Sequence, residues 1–228
     1  MKLAIIKYNA GNIQSVLYAL ERIGVSAIVT DDIEEIQSAD KVIFPGVGEA
    51  STAMNYLKER KLDEVIKHLK QPVLGVCLGM QLMCTYSEEN DTDCLGIFDE
   101  VVKKFNTSVE EGTYEGLLVQ VPNNTNAAWP PSPSGEGTRV RLKVPQMGWN
   151  NISNLKSDLM QDVKENSYCY FVHSYYASLG EHTIATTNYI QPFSAALHKD
   201  NFYGVQFHAE KSAEAGQRIL ENFVRPRP

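Results

Sequence analysis

Cysteine is scarce in this chain and never paired. Only Cys77, Cys84, Cys94 and Cys169 occur in 228 residues, with no CxxC unit and no framework spacing. That argues against a disulfide scaffold and for a reducing compartment. Basic charge is also short, with 21 Lys and Arg against 28 Asp and Glu and a net charge of −7. Such a surface repels phosphate backbones on average, which argues against a nucleic-acid or membrane-surface binder. No apolar run reaches the length needed to cross a bilayer. The opening MKLAIIKYNAGN holds only four apolar residues between two lysines, too few for the core of a secretory signal. The glycosylation-type triplets at Asn106, Asn123 and Asn151 therefore carry little weight. Cytoplasmic location is expected. No His/Cys spacing matches a metal site, and neither a metal nor a cofactor is expected.

What is present reads as an ordinary globular composition, 43% hydrophobic and 21% charged. Short apolar runs (3–6, 27–29, 41–44 and 73–76) alternate with stretches of helical periodicity, the clearest being Ile13, Val16, Leu17, Leu20 and Ile23 before Gly24. Further helical segments are expected around 53–57 and 62–69, and a last one at roughly 213–223. This alternation predicts an α/β fold with a mostly parallel sheet and helices on both faces. The second half is β-rich, with CLGIF, EGLLVQV, TRVRLKV, YCYFVHSYYA, HTIATTNY, FSAALH and YGVQFH as strand-like runs. Between them lies PNNTNAAWPPSPSGEGT, too rich in Pro, Gly and Asn for helix or central strand. The expectation is one domain over 1–228, with about 107–140 an inserted β-hairpin and loop.

One short stretch carries chemistry: PVLGVCLGMQ, residues 72–81. Gly75 and Gly79 flank Cys77 two residues away on each side, between a strand-like and a helix-like run. A nucleophile on a sharp strand-to-helix turn needs small neighbours there, and the helix amino terminus favours its thiolate. A thiolate needs a base, and the base an orienter. His208 ends the strand-like YGVQFHAEKS, and Glu210 follows two residues later, on the same face of an extended chain. His173, in YFVHSYY, is the rival base, but it lacks a carboxylate two residues away. His68, His182 and His198 read as surface residues.

GVCLGMQ followed by GVQFHAEKS resembles the class I, triad-type glutamine amidotransferases, and the likeness implies their flavodoxin-like fold. More narrowly, YNAGN (8–12), FPGVGEA (44–50), VPQMGWN (144–150) and YFVHSYY (170–176) resemble the glutaminase subunit of imidazole glycerol phosphate synthase. The resemblance implies that Cys77 attacks the side-chain amide of glutamine while His208, oriented by Glu210, moves protons. It implies an oxyanion site from the backbone at Leu78 and at Val47 or Gly48, in a loop that reorients when the partner is loaded. It places Gln81, Glu89, Ser174 and Tyr175 at the substrate. It also implies a heterodimer with a (β/α)₈-barrel cyclase, faced by Asn12, Trp149, Asn150 and Lys211. That partner uses the ammonia to make imidazole glycerol phosphate and aminoimidazole carboxamide ribotide in histidine biosynthesis.

Two features depart from the pattern. The family's H-P-E is His208-Ala209-Glu210 here, and alanine leaves the turn less rigid than proline would. The material before VPQMGWN is longer than the short connection the family needs. The alternatives are a stand-alone cysteine hydrolase of γ-glutamyl amides, and a non-catalytic scaffold of the same fold.

Overall fold

In the computed structural model, the residues described are 1–8, 13–106 and 143–225. Asn12, the expected hairpin and loop at about 107–140, the run EGLLVQV and most of TRVRLKV lie outside them.

Strand β1 (Leu3–Ile6) is apolar throughout and buried throughout, as a strand covered on both faces must be. There follow α1 (Ile13–Arg22), β2 (Ala27–Thr30), α2 (Ile33–Gln37), β3 (Lys41–Phe44), α3 (Ala50–Glu59), α4 (Leu62–Lys67), β4 (Val73–Val76) and α5 (Leu78–Met83). The second half brings β5 (Tyr86–Ser87), β6 (Thr92–Asp93), β7 (Val101–Lys104), β8 (Gln146–Ile152) and β9 (Ser167–His173). It closes with β10 (Tyr175–Ala177), β11 (Thr183–Tyr189), β12 (Gln191–Lys199), β13 (Phe202–Val205) and α6 (Ala213–Val224).

The main sheet has the order β11-β12-β13-β4-β3-β1-β2. The five strands from β13 to β2 are parallel, and β12 and β11 extend the sheet antiparallel. Read from the other edge, β2-β1-β3-β4-β13 is the flavodoxin-like order. Alternate residues of each short strand serve opposite faces. Leu3, Ile5, Ile43, Leu74 and Val76 pack with α1 and α6, while Ala4, Ile6, Val42, Phe44 and Val73 pack with α2 to α5. Each fully buried Leu, Ile or Phe side chain contributes about 1.5–3 kcal/mol, so four-residue strands are enough when both faces are covered. Beside this sheet lie a small one, β10-β7-β5-β6, and the antiparallel pair β8-β9.

Three elements differ from the sequence reading. CLGIF is not a strand: the N–H groups of Leu95, Gly96, Ile97 and Phe98 donate to the carbonyls of Leu82, Cys84 and Met83. The apolar run satisfies the otherwise orphaned end of α5. YCYFVHSYYA breaks at Ser174, and its two parts join different sheets as β9 and β10. The short α2 carries too few apolar residues for its period to show, but Asp32 caps it, accepting the Glu35 N–H at 2.9 Å.

Candidate active site

Strand β4 passes into α5 through one residue, Cys77, whose backbone sits at φ 53° and ψ −110°. A side-chain-bearing residue adopts that conformation at a cost of about 1–3 kcal/mol, and only where its surroundings enforce it. Here the Cys77 N–H continues the sheet ladder, donating to Val205 at 2.8 Å, while its carbonyl accepts from Gln81 at the start of α5. The two flanking glycines let the helix lie this close. A Cβ on Gly79 would stand 1.9 Å from the Phe44 carbonyl oxygen, and one on Gly75 would stand 2.8 Å from the Met80 nitrogen. Both obstacles are backbone. Gly79→Ala is therefore expected to lower stability by about 3 kcal/mol, read as a fall in denaturation midpoint, and to displace Cys77.

The parallel pairing of β4 with β13 puts their carboxyl ends side by side, with Val76 opposite Val205. His208 therefore emerges next to Cys77, close enough for the sulfur to raise the pKa of the imidazole. Its Nδ1 lies 2.8 Å from Glu210 Oε1, and both side chains are buried. The pair does not meet along an extended chain, as the sequence suggested. Residues 209–211 form a single tight 3₁₀ turn that swings Glu210 back onto the ring. Burial alone would lower the His208 pKa. The hydrogen bonds to Cys77 and Glu210 outweigh it and raise the value to about 10, so the imidazole holds its proton at neutral pH.

The turn is pinned from outside. The His208 N–H donates to Tyr170 at 2.9 Å, and Ser212 Oγ donates to the His208 carbonyl at 2.7 Å while accepting the Tyr170 N–H at 2.9 Å. Ala209 opens the turn, where proline's missing N–H removes no bond of the turn, and His208 is extended at φ −80° and ψ 93°. Ala209→Pro is thus expected to raise stability by about 0.5–1 kcal/mol with unchanged turnover, checked by denaturant titration and kinetics.

The rival histidine is set differently. His173 Nδ1 lies 2.7 Å from the Tyr175 carbonyl oxygen, and burial among aromatic rings lowers its pKa to about 4. A ring so reluctant to take a proton is a poor general base.

A buried Cys–His–Glu set on a strained elbow at the carboxyl edge of a parallel sheet is acyl-transfer geometry. The sequence matches the family model for glutamine amidotransferase class-I over residues 4–226. The chain belongs to that family. It is 55% identical to imidazole glycerol phosphate synthase subunit HisH of Bacteroides fragilis over 224 residues, covering 98% of this chain and 99% of the relative. It is 52% identical to the same-named subunit of Bacteroides thetaiotaomicron, with equal coverage. Among solved structures it resembles PurLQS from Thermotoga maritima, with a TM-score of 0.62 and 11% identity, covering 98% of this chain and 97% of that one. Near-complete coverage of both chains means these Bacteroides relatives are almost the same length as this one.

Other expected site residues of the amidotransferase fall into distinct settings. The Leu78 N–H is occupied, donating to the Gly46 carbonyl at 3.3 Å. Val47 is half-buried beside it, and Gly48 is exposed at φ 121°, open to left-handed backbone. The Tyr8 hydroxyl holds this loop, donating to the Pro45 carbonyl at 2.5 Å. Gln81 is buried, and its amide nitrogen donates to the Tyr175 carbonyl at 2.8 Å and to Gln206 at 2.9 Å. Glu89 Oε2 accepts the Ala50 N–H at the start of α3 at 2.7 Å, and burial raises its carboxyl above the usual range. The Ser174 carbonyl is taken by the Phe105 N–H at 3.1 Å.

Trp149 stands out from β8, 53% exposed, its ring edge against Tyr170. Asn150 donates to the Asn188 carbonyl at 3.0 Å, and Lys211 is exposed on the turn after His208. Sequence reasoning passed over Tyr8, Gln206 and Ser212. All three lie within quoted motifs, but a buried polar group shows its partners only once the chain is folded.

Proposed function

We propose that this amidotransferase hydrolyses glutamine to glutamate and ammonia at Cys77 and delivers the ammonia to a cyclase, the second component of imidazole glycerol phosphate synthase. The observation that carries the reading is the buried Cys77–His208–Glu210 set. Relatives more than half identical over nearly the whole chain are imidazole glycerol phosphate synthase subunits, which supports the pathway. The cyclase, of (β/α)₈-barrel type, would convert a ribulosyl-formimino carboxamide ribotide to imidazole glycerol phosphate and aminoimidazole carboxamide ribotide.

The chemistry follows from the geometry. The Cys77 thiolate adds to the amide carbon of glutamine, and the protonated His208 gives its proton to the departing nitrogen. Ammonia leaves and a γ-glutamyl thioester remains. Neutral His208 then takes a proton from water as the water attacks, releasing glutamate and restoring the thiolate beside the imidazolium. Glu210 holds Nδ1–H throughout, which keeps Nε2 aimed at the sulfur and the incoming water.

The tetrahedral intermediates need an oxyanion donor, and the Leu78 N–H is engaged with Gly46. Release of that bond, by rotation in the glycine-containing Gly46–Gly48 segment, would free the donor. This supports low activity alone and activation by a loaded partner. A partner surface is supported by the large apolar side chains left exposed on the β8-β9 pair: Met147, Trp149 and Tyr168. The family resemblance assigns Asn12, Asn150 and Lys211 to the same partner. Among the described residues no helix is long and apolar enough to cross a membrane.

Glutamate release by the chain alone, with the cyclase, and with the cyclase plus its ribotide ligand tests this reading. Activity is expected to rise steeply only in the third mixture. Equal activity in all three would indicate an uncoupled hydrolase instead.

A further inference from the structure

Gln206 is fully buried and follows Val205 at the end of β13, as Cys77 follows Val76 on the neighbouring strand. An amide is costly in such a place unless both its ends find partners. Its orientation can be read from a chain of contacts. The Tyr175 carbonyl can only accept, and it lies 2.8 Å from one end of the Gln81 amide, which must therefore be the nitrogen. The same nitrogen lies 2.9 Å from the Gln206 amide, whose near end must therefore be oxygen. That leaves the Gln206 Nε2–H facing the Cys77 sulfur, at 3.8 Å.

The sulfur thus has different partners in its two protonation states. A thiol can donate to the Val172 carbonyl, also 3.8 Å away. A thiolate cannot, and that carbonyl dipole opposes it. The thiolate has instead the His208 ring and the Gln206 amide, both donors. During turnover, however, His208 must give up its proton to the departing nitrogen. Gln206 has no proton to lose, so its donation persists through both half-reactions.

We propose that Gln206 is a second, permanent hydrogen-bond donor to the Cys77 sulfur, stabilising its negative charge before attack and again as it leaves the thioester. The anchor is the Tyr175 carbonyl, acting through Gln81. This rests on the reading of Cys77 as nucleophile.

The test replaces Gln206 in two ways. Gln206→Glu keeps an oxygen for Gln81 but sets another oxygen where the donor stood; Gln206→Met is of similar size, uncharged and has no N–H. The readout is the rate at which iodoacetamide alkylates Cys77 in the folded chain at pH 7, located by peptide mapping. Thermal melting is recorded alongside, and the Met variant decides should the Glu variant not fold. Both are expected to react about tenfold more slowly than the parent. With the loaded cyclase, Gln206→Glu is expected to lower kcat by a similar factor and to leave KM unchanged, because Gln81 stays in place.

Alkylation and kcat within twofold of the parent in folded variants would overturn the proposal and reduce Gln206 to a structural partner of Gln81. The underlying reading fails separately. It would fall if a Cys77→Ala chain still released glutamate, whatever the Gln206 variants did.

Discussion

Cys77→Ala is expected to cut glutamate release by at least about 10⁴-fold, to the background of the assay, while leaving the fold intact. No other group at the site can form the thioester. Cys84 and Cys169 are buried, and burial raises both thiols above their ordinary range. Cys94 is partly exposed, but its thiol is pushed up to about 12, chiefly by burial. Alanine also keeps a Cβ at φ 53°, so the strain of the elbow remains. Glycine removes it. Cys77→Gly is therefore expected to be as inactive as Cys77→Ala yet about 1 kcal/mol more stable than the parent, measured by denaturant titration. A gain of stability on losing the side chain is the mark of a residue held in an unfavourable conformation by the surrounding fold.

Glu210→Gln is expected to lower kcat by about 10³-fold with little change in volume. Glutamine can offer an N–H to His208 Nδ1, turning the ring's other nitrogen into a donor and spoiling it as a base. The carboxylate is also one of the two partners that hold the His208 pKa near 10. A raised histidine stabilises the fold fully below its ordinary value of 6.5, and that contribution is lost as pH rises through the folded value. The stability deficit of Glu210→Gln should accordingly be largest near pH 6 and shrink toward pH 10. Melting temperatures of parent and variant across that interval check the sign.

Much of the architecture was legible in the sequence because four-residue apolar strands and amphipathic helices differ in period. Leu3–Ile6 and Val73–Val76 read as short apolar strands, and α1 announces itself through Ile13, Val16, Leu17 and Leu20. The elbow was legible too, since a cysteine flanked by Gly75 and Gly79 between a strand-like and a helix-like run suits a tight turn, and a Cβ at either glycine would meet backbone. What escaped was whatever depends on the turn or the distant partner that the folded chain supplies. CLGIF has the composition of a strand, yet its N–H groups go to the end of α5. The contact between His208 and Glu210 was anticipated for an extended segment and is made by a tight turn. Glu89, placed at the substrate by resemblance, accepts in the fold the first N–H of α3, from Ala50. The network from Tyr175 through Gln81 and Gln206 to Cys77 joins residues 94, 125 and 129 positions apart. No local pattern encodes such a link.

The most direct test is to stop the reaction with acid while the chain, its loaded cyclase and glutamine are turning over, and to map the peptides by mass spectrometry. A glutamyl adduct on the peptide carrying Cys77, absent when glutamine is omitted, is the predicted result. Continued glutamate release with no adduct there, or an adduct on Cys94 instead, would contradict the assignment of Cys77 as the nucleophile.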